Sequence, residues 1–422
     1  MLSIKYIEDN IDKVQHAIDS KNVKFNLSDV LNLNDKRKSI IREVEQLKSQ
    51  RNIKNKLISE SRKEKRDSSN LINEMKDISS VIKKLDSDLS NIEDNLNSKL
   101  LYIPNILDES VPIGKDESSN VVIREWGEKP DFDFDIKDHR ELCSINRLVD
   151  FKRSVKMSGS GFPLYTNNGA RLERALINFM LDEHVNNHDY IELMPPFLVS
   201  SNAPKTTGNL PKFKDDMYHI ENDDLYCIPT AEVPVTNIYS NEVLDESDLP
   251  IKFAAYSACF RREAGSYGKD TKGLHRVHQF NKVELVKFCN PKSSYDELEM
   301  LLSNAEQILQ DLNLHYRVIE LCGADLSFSA AKCYDIEVWS PFEKKYLEVS
   351  SCSNFESFQA QRGNIRFRNN ENKLQHVHTL NGSGVATPRL MVSILENFQN
   401  YYNLKLLSIY FQMVTKLQYH NI

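Results

Sequence analysis

Two heptad runs near the amino terminus constrain this chain more than any other feature. Leu33, Arg37, Ile40, Val44, Leu47, Arg51, Lys54 and Ile58 alternate steps of four and three. After the polar stretch SESRKEKRDSSN, the same steps return through Leu71, Met75, Ile78, Ile82, Leu85, Leu89, Ile92 and Leu96. A 3.5-residue repeat keeps one helical face turned toward a partner. Two such repeats with a short polar connection predict an antiparallel coiled-coil hairpin over about residues 28–98. At 1.5 Å per residue each helix reaches roughly 40 Å or more. The first helix is polar at Arg37, Arg51 and Lys54 of its seam, which predicts a loose distal end.

Charge sharpens that expectation. The 422-residue chain carries a formal net charge of −7, which argues against indiscriminate nucleic-acid binding. Yet Asp35 to Arg66 holds twelve Lys/Arg against five Asp/Glu, whereas Asp67 to Asp94 holds seven acids against three lysines. A basic strip on an acidic protein suits a localised polyanion contact. The same coiled coil could instead serve as an oligomerisation device, and the pattern alone leaves both uses open.

Several classes are disfavoured. No uncharged apolar run approaches the roughly 18 residues that span a bilayer, so no membrane association is expected. Glu8, Asp9 and Asp12 come too early for a signal or transit peptide. The seven cysteines (Cys143, Cys227, Cys259, Cys289, Cys322, Cys333 and Cys352) form no CxxC pair. That pattern supports neither a disulfide framework nor a zinc ribbon, and it predicts reduced thiols in a cytoplasmic protein.

Composition divides the chain into an N-terminal domain over 1–101, a linker over 102–120 and a larger domain over 121–422. YIPNILDESVPIGKDESSN has the Pro, Gly, Asp and Ser density of a linker. Beyond it, RLERALINFMLDEHVNNH has helical apolar spacing, and YIELMPPFLV reads as a strand ending at Pro195 and Pro196. Further strands are expected at LYCIPT, KFAAYSACF, NKVELVKF, YDIEVWSP and KYLEVSSCS. Strands in hairpin-like order between helices predict an α+β fold, an antiparallel sheet flanked by helices.

The chemistry concentrates in loops. FRREAGSYGKDTKGLHRVHQF joins two of the strands and holds Arg261, Arg262, Lys269, Lys272 and Arg276 among Gly265, Gly268 and Gly273. A strand-anchored arginine can present its planar fork to phosphate or carboxylate. Phe280 offers a flat face to a base, and Glu263 an acceptor for an exocyclic amine. The loop suits a nucleoside triphosphate; a solvated hairpin with internally paired charges fits it equally well. Near the carboxyl terminus, NGSGVATPRLMVSILENFQ places Thr387 at an N-cap and Pro388 at the first helical position. Arg389 then stands in the first turn, where backbone donors and a guanidinium converge on anions.

These stretches together resemble the seryl-tRNA synthetases of the class II, bacterial type, over nearly the whole chain. The loop resembles class II motif 2, GSGVATPRLMVSILENFQ resembles motif 3, and the helix and strand ending MPPFLV resemble motif 1 with its proline at Pro196. TGNLPKF, IPTAEVPVTN, FSAAKCYDIEVW and YLEVSSCSNFESFQAQR match seryl-specific stretches, and the hairpin resembles the family's tRNA-binding arm.

The resemblance implies a serine–tRNA ligase that forms seryl-adenylate and pyrophosphate from L-serine and ATP. It then transfers serine to tRNA(Ser), with tRNA(Sec) as a further candidate. Arg261 would bridge the serine carboxylate and the α-phosphate, and Arg389 would contact the γ-phosphate side. Arg262, Glu263, Arg276, Val277 and Phe280 would hold the nucleotide. Glu348, Val349, Ser350 and Ser351 would line its pocket, with Glu348 reaching Mg2+. Thr230, Ala231 and Glu232 would hold the α-ammonium, and Glu284 and Ser383 the serine hydroxyl. Taken by itself, Glu284 could equally be a strand glutamate paired with Lys282 or Lys287. Lys36, Arg37, Lys38, Arg42, Lys48, Arg51, Lys54 and Lys56 are the candidate tRNA contacts. A homodimer through motif 1 is implied, and no zinc.

The match has departures. Asp189 replaces a usual glycine, Asn209 a glutamine, Gln361 an arginine and Ser327 a common glycine, and the terminal LSIYFQMVTKLQYHNI lacks the family's proline. A catalytically lapsed, RNA-binding relative and a ligase for carrier proteins are the alternatives. Intact Arg261, Glu284 and Arg389 argue against the first, and the long arm argues against the second.

Overall fold

A computed structural model describes residues 1–264 and 272–400. Gly265, Gly268 and Lys269 of the cationic loop, and the expected last strand within 407–422, lie outside the described residues. The chain separates into two compact units, Met1–Pro104 and Asn105 onward.

The first unit begins with short helices Ile4–Asp9 and Ile11–Ser20, followed by α1 (Leu27–Lys63) and α2 (Ser69–Leu100). Asn26 caps α1 by accepting from the Ser28 N–H at 3.2 Å. Val44, Ile58, Ile82 and Leu96 of the predicted seam are buried. Two of the three polar seam positions are paired across the hairpin: Arg37 Nε meets Glu93 Oε1 at 2.8 Å, and Lys54 pairs with Glu74. Helix α1 runs unbroken to Lys63, so the polar seam does not interrupt it. Charges of α1 that composition sets against the acids of α2 thus meet in space.

The second unit is built on an eight-stranded sheet. Its strands are β1 (Val121–Trp126), β2 (Ile191–Leu193), β3 (Ile251–Phe260), β4 (Gln279–Cys289), β5 (Tyr316–Glu320), β6 (Lys332–Ser340), β7 (Lys345–Asn354) and β8 (His378–Ala386). Their order across the sheet is β1-β5-β6-β7-β8-β4-β3-β2. Every pairing is antiparallel except β2 with β3. Short strands in two further three-stranded sheets flank it. The stretch read as a linker is held from Asn105 onward: the buried Asn105 amide donates to Ser329 O at 2.9 Å and Phe355 O at 2.8 Å.

Helices α3 (Asn167–Asn187), α4 (Ser294–Asp311) and α5 (Thr387–Asn397) bury one face each on this sheet. The α4 sequence SYDELEMLLSNAEQILQD places Leu298, Leu301, Leu302, Ala305, Ile308 and Leu309 at helical spacing, and all are buried. It packs so close to β8 that a Cβ on Gly382 would lie 2.2 Å from Leu301 Cδ2. Asp189 adopts φ 59°, a left-handed conformation that aspartate tolerates better than most side chains.

One local expectation is corrected. Ala386, not Thr387, occupies the N-cap of α5. The Thr387 hydroxyl turns inward instead, donating to Glu173 of α3 and contacting Asn281 O at 3.0 Å. Glu173 is buried, so its carboxyl demands donors more than the solvated helix end does. Asn281 Nδ2 supplies another at 2.8 Å. Helix α3, strand β4 and helix α5 are thereby fastened to one carboxyl.

Gly382→Ala is expected to destabilise the protein by about 1–3 kcal/mol through overpacking against Leu301 and Cys352. Urea unfolding checks this, with the shift appearing in the midpoint rather than the slope.

Candidate active site

A cavity of about 680 Å³ opens over the β7, β8, β4 and β3 region of the sheet. The ladder between β3 and β4 runs from Ile251↔Phe288 to Phe260↔Gln279 and sets which side chains reach it. Just beyond, the Arg261 N–H donates to His278 O at 2.9 Å, continuing the pairing into the loop. Arg261 therefore leaves the strand end beside Phe280, with its guanidinium carbon 5.1 Å from the ring centroid.

The cationic end of the cavity holds Arg261, Arg276 and Arg389. Arg276 Nη1 lies 3.0 Å from Glu263 Oε2, so the acid among the cations is paired with one of them. Arg389 Nη1 donates to Glu348 O at 2.9 Å and to its Oε2 at 3.1 Å, while Nε donates to His275 O at 3.3 Å. Helix α5, β7 and the returning arm of the loop thus meet at one guanidinium.

The floor is acidic. Glu284 is 1% exposed, and its Oε2 takes the Thr230 hydroxyl and the Lys282 ammonium. Lys282 and Glu284 share a face of β4 because strand side chains alternate. Lys287, the other suggested partner, pairs with Glu297 Oε2 at 2.8 Å instead. Across the ladder Ser383 is the register partner of Glu284. Immediately after it the register slips, Ala386 pairing with Lys282, and Val385 takes φ 95°. A β-branched residue at that angle is strained, and the irregularity turns the chain into α5 with Arg389 facing the cavity.

Glu232 lies beside this pair, where its carboxyl takes a hydrogen bond from Gln359 Nε2 at 2.7 Å. Burial, reinforced by the charge of Glu284, pushes its pKa up to about 7. Gln359 is fully buried and clamped in turn, its Oε1 accepting from the Thr379 hydroxyl at 2.7 Å.

Of the residues singled out in the sequence, Thr230, Glu232, Arg261, Glu263, Arg276, Val277, Phe280, Glu284, Glu348, Val349, Ser351, Ser383 and Arg389 line the cavity. Three do not. Ala231 is buried in a neighbouring apolar cluster. Arg262 points outward, its Nη1 donating to Asp215 O at 3.1 Å. Ser350 turns behind the strand and donates to Ser383 O at 2.6 Å. Sequence reasoning passed over Asn381 and Gln359. The first lies two residues before Ser383, and strand alternation was the signal for it. Nothing in the sequence signals that Gln359 reaches Glu232.

Comparison with known proteins decides the family. Residues 212–398 match the tRNA synthetase class II core domain (G, H, P, S and T), and residues 1–107 match the seryl-tRNA synthetase N-terminal domain. A serine–tRNA ligase of Syntrophobacter fumaroxidans is 53% identical over 400 residues, covering 94% of this chain and 95% of that protein. The chain belongs to the seryl-tRNA synthetase family. A serine–tRNA ligase of Caldicellulosiruptor saccharolyticus is 55% identical over 399 residues, with 94% and 95% covered. The crystal structure of seryl-tRNA synthetase from Pyrococcus horikoshii complexed with ATP superposes with a TM-score of 0.90 at 36% identity, covering 95% of each chain. Membership makes the chain an aminoacyl-tRNA synthetase, a serine–tRNA ligase that uses ATP, with the class II core fold its antiparallel sheet displays.

A raised carboxyl pKa has a signed consequence for stability. Glu232 holds its proton in the fold up to about pH 7, against an ordinary 4.5. Its contribution is therefore most favourable below 4.5 and is lost as pH rises through 7. Glu232→Gln is expected to raise the melting temperature relative to wild type at pH 8, with little difference at pH 4.5; thermal melts at both values check this.

Proposed function

We propose that the cavity carries out serine activation in two halves that match its electrostatics. Arg261 is the guanidinium nearest the 230–232 segment, its Nε donating to Pro229 O at 3.4 Å, and it lines the same cavity as Arg276 and Arg389; that placement carries the reading. A zwitterionic amino acid set with its ammonium toward Glu232 and Thr230 presents its carboxylate toward Arg261. ATP, with adenine against Phe280 and phosphates toward Arg276 and Arg389, presents its α-phosphate to the same guanidinium. Attack of a carboxylate oxygen on the α-phosphorus forms the acyl phosphate bond, breaks the bond to the bridging oxygen and releases pyrophosphate. The resulting seryl-adenylate passes its acyl group to the terminal adenosine of tRNA(Ser), releasing AMP. Fixed positive charge and orientation supply most of this catalysis.

Glu284 and Ser383 face the serine side chain in this reading. Oε2 of Glu284 is taken by Thr230 and Lys282, which leaves Oε1, 3.4 Å from Asn381 Nδ2, to accept a substrate hydroxyl that alanine lacks; a site built to hydrogen-bond a hydroxyl can discriminate on the order of 10⁴-fold. Magnesium fits the donor set. Among the described residues no cluster of three His, Cys, Asp or Glu stands ready for a metal, and Glu348 and Ser351 line the phosphate end. An ion that prefers few protein ligands and several phosphate or water oxygens suits that arrangement, and it would neutralise phosphate charge.

The arm supports tRNA binding. Lys36, Arg42, Arg51 and Lys56 have no ion-pair partner among the described residues, whereas Arg37, Lys38, Lys48 and Lys54 are paired with Glu93, Glu8, Asp86 and Glu74. The first four are the better candidates for binding phosphate. Ile191 and Met194 lie 57% and 83% exposed on the open edge at β2, which favours a homodimer through that edge. Seven free thiols suit a cytoplasmic location.

Pyrophosphate exchange into ATP without tRNA, run with each amino acid, tests the floor. Exchange with serine alone is expected. Glu284→Gln is expected to cut serine exchange by about 10²-fold or more and to narrow the margin over alanine. Equal serine exchange in that variant would remove Glu284 from hydroxyl recognition. Replacing Lys36, Arg42, Arg51 and Lys56 by Gln is expected to lower tRNA affinity and to reduce its salt slope by roughly one for each positive charge removed. Adenylate formation should stay unchanged; undiminished charging of tRNA would exclude those four side chains.

A further inference from the structure

The loop arm that returns to the nucleotide end of the cavity is fastened from behind. His139, the first residue of helix His139–Ile145, is 2% exposed. Its Nε2 lies 3.2 Å from the Leu274 backbone nitrogen, whose N–H can only donate. Nε2 is therefore the acceptor, and the ring proton sits on Nδ1, which faces Glu396 Oε1 at 3.3 Å. Glu396 is fully buried on α5. Its Oε1 also accepts the His139 backbone N–H at 3.2 Å, and its Oε2 accepts the Ser340 hydroxyl at 2.5 Å. Two further donors thus hold the carboxylate that accepts the imidazole N–H.

The approach is close as well as polar. Gly273 has φ 68°, and a Cβ there would fall 2.1 Å from His139 Nε2. The His139 and His275 rings meet edge to face with centroids 4.7 Å apart. On the cavity side, the His275 carbonyl accepts from Arg389 Nε at 3.3 Å. Arg389 and Glu396 are two turns apart on one helix, so α5 grips the loop arm twice. It does so directly through Arg389 and indirectly through Glu396 and His139.

We propose that His139 is a positioning residue for ATP: bridging Glu396 to the Leu274 N–H, it holds Arg276 in register with Arg389 for one nucleotide. The inference rests on the reading that the cationic end of the cavity receives ATP. It does not involve the serine half of the site, which is anchored on β4, β8 and the 230–232 segment. Loss of the bridge should therefore weaken ATP binding selectively.

The test is pyrophosphate exchange by the full-length protein, with ATP and serine titrated separately in wild type, His139→Asn and His139→Gln. An asparagine amide reaches as far as Nδ1 and can meet Glu396 but not Leu274. A glutamine amide reaches the place of Nε2 and can accept the Leu274 N–H. His139→Asn is expected to raise KM for ATP about tenfold, with KM for serine within about twofold, and His139→Gln to recover most of that loss. An unchanged KM for ATP in His139→Asn, a parallel rise in both KM values, or no advantage of Gln over Asn would each overturn the proposal. If His139→Asn does not fold, Ser340→Ala removes one donor from Glu396 and should still raise KM for ATP without moving that for serine. A flat result there overturns it too. Failure of the wild type to exchange with serine at all would instead overturn the underlying assignment of the cavity, before any variant is compared.

Discussion

The antiparallel ladder between β3 and β4 is the constraint on which the rest of the site depends. Its register places Arg261 at the end of one strand opposite His278 at the start of the other. The same register brings Lys282 and Glu284 to one face beneath the cavity, with Phe280 above them. A slip of one residue would turn that face into the opposite side of the sheet. The register is secured from both sides, because β8 pairs along β4 and buries it completely from Lys282 to Cys289. Helix α4 then closes the back, and Gly382 is the residue that lets it approach.

Placing a carboxylate in so buried a strand is costly unless it is paired and hydrogen-bonded. Glu284 meets that condition with Lys282 and Thr230, and Lys287 meets it on the same strand with Glu297. Glu232 is less well compensated and keeps its proton toward neutrality. The result is a cavity whose floor gathers paired or protonated carboxyls and whose other end, where the loop and α5 converge, carries guanidinium groups.

Much of this was legible along the chain. The heptads predicted the helical hairpin because a 3.5-residue period has one structural use, and α1 and α2 follow it closely. Arg261, Phe280 and Arg389 were legible because strand ends and helix starts are local features. Other parts were hidden. The pairing of Arg37 with Glu93 depends on how two distant helices align, and four of the eight candidate tRNA contacts prove to be ion-paired within the chain. Thr387 was misread as a cap because the sequence does not show Glu173 buried beside it, more than two hundred residues earlier in the chain. Arg262 and Ser350 adjoin site residues but face away, since neighbours on a strand or loop point in opposite directions.

By itself, then, the sequence determined the class of fold, the coiled-coil arm and the types of charge that gather at the site. These follow from periodicity, local propensity and motif spacing, which act over a few residues. Only the tertiary structure decided which charges remain available to a ligand. It set Lys36 apart from Arg37, made Ser383 the partner of Glu284, and gave His139 and Gln359 their places behind the cavity. The physical reason is that hydrogen bonds and ion pairs are satisfied in space, by whichever partner packing brings within about 3 Å, and no local pattern records that partner.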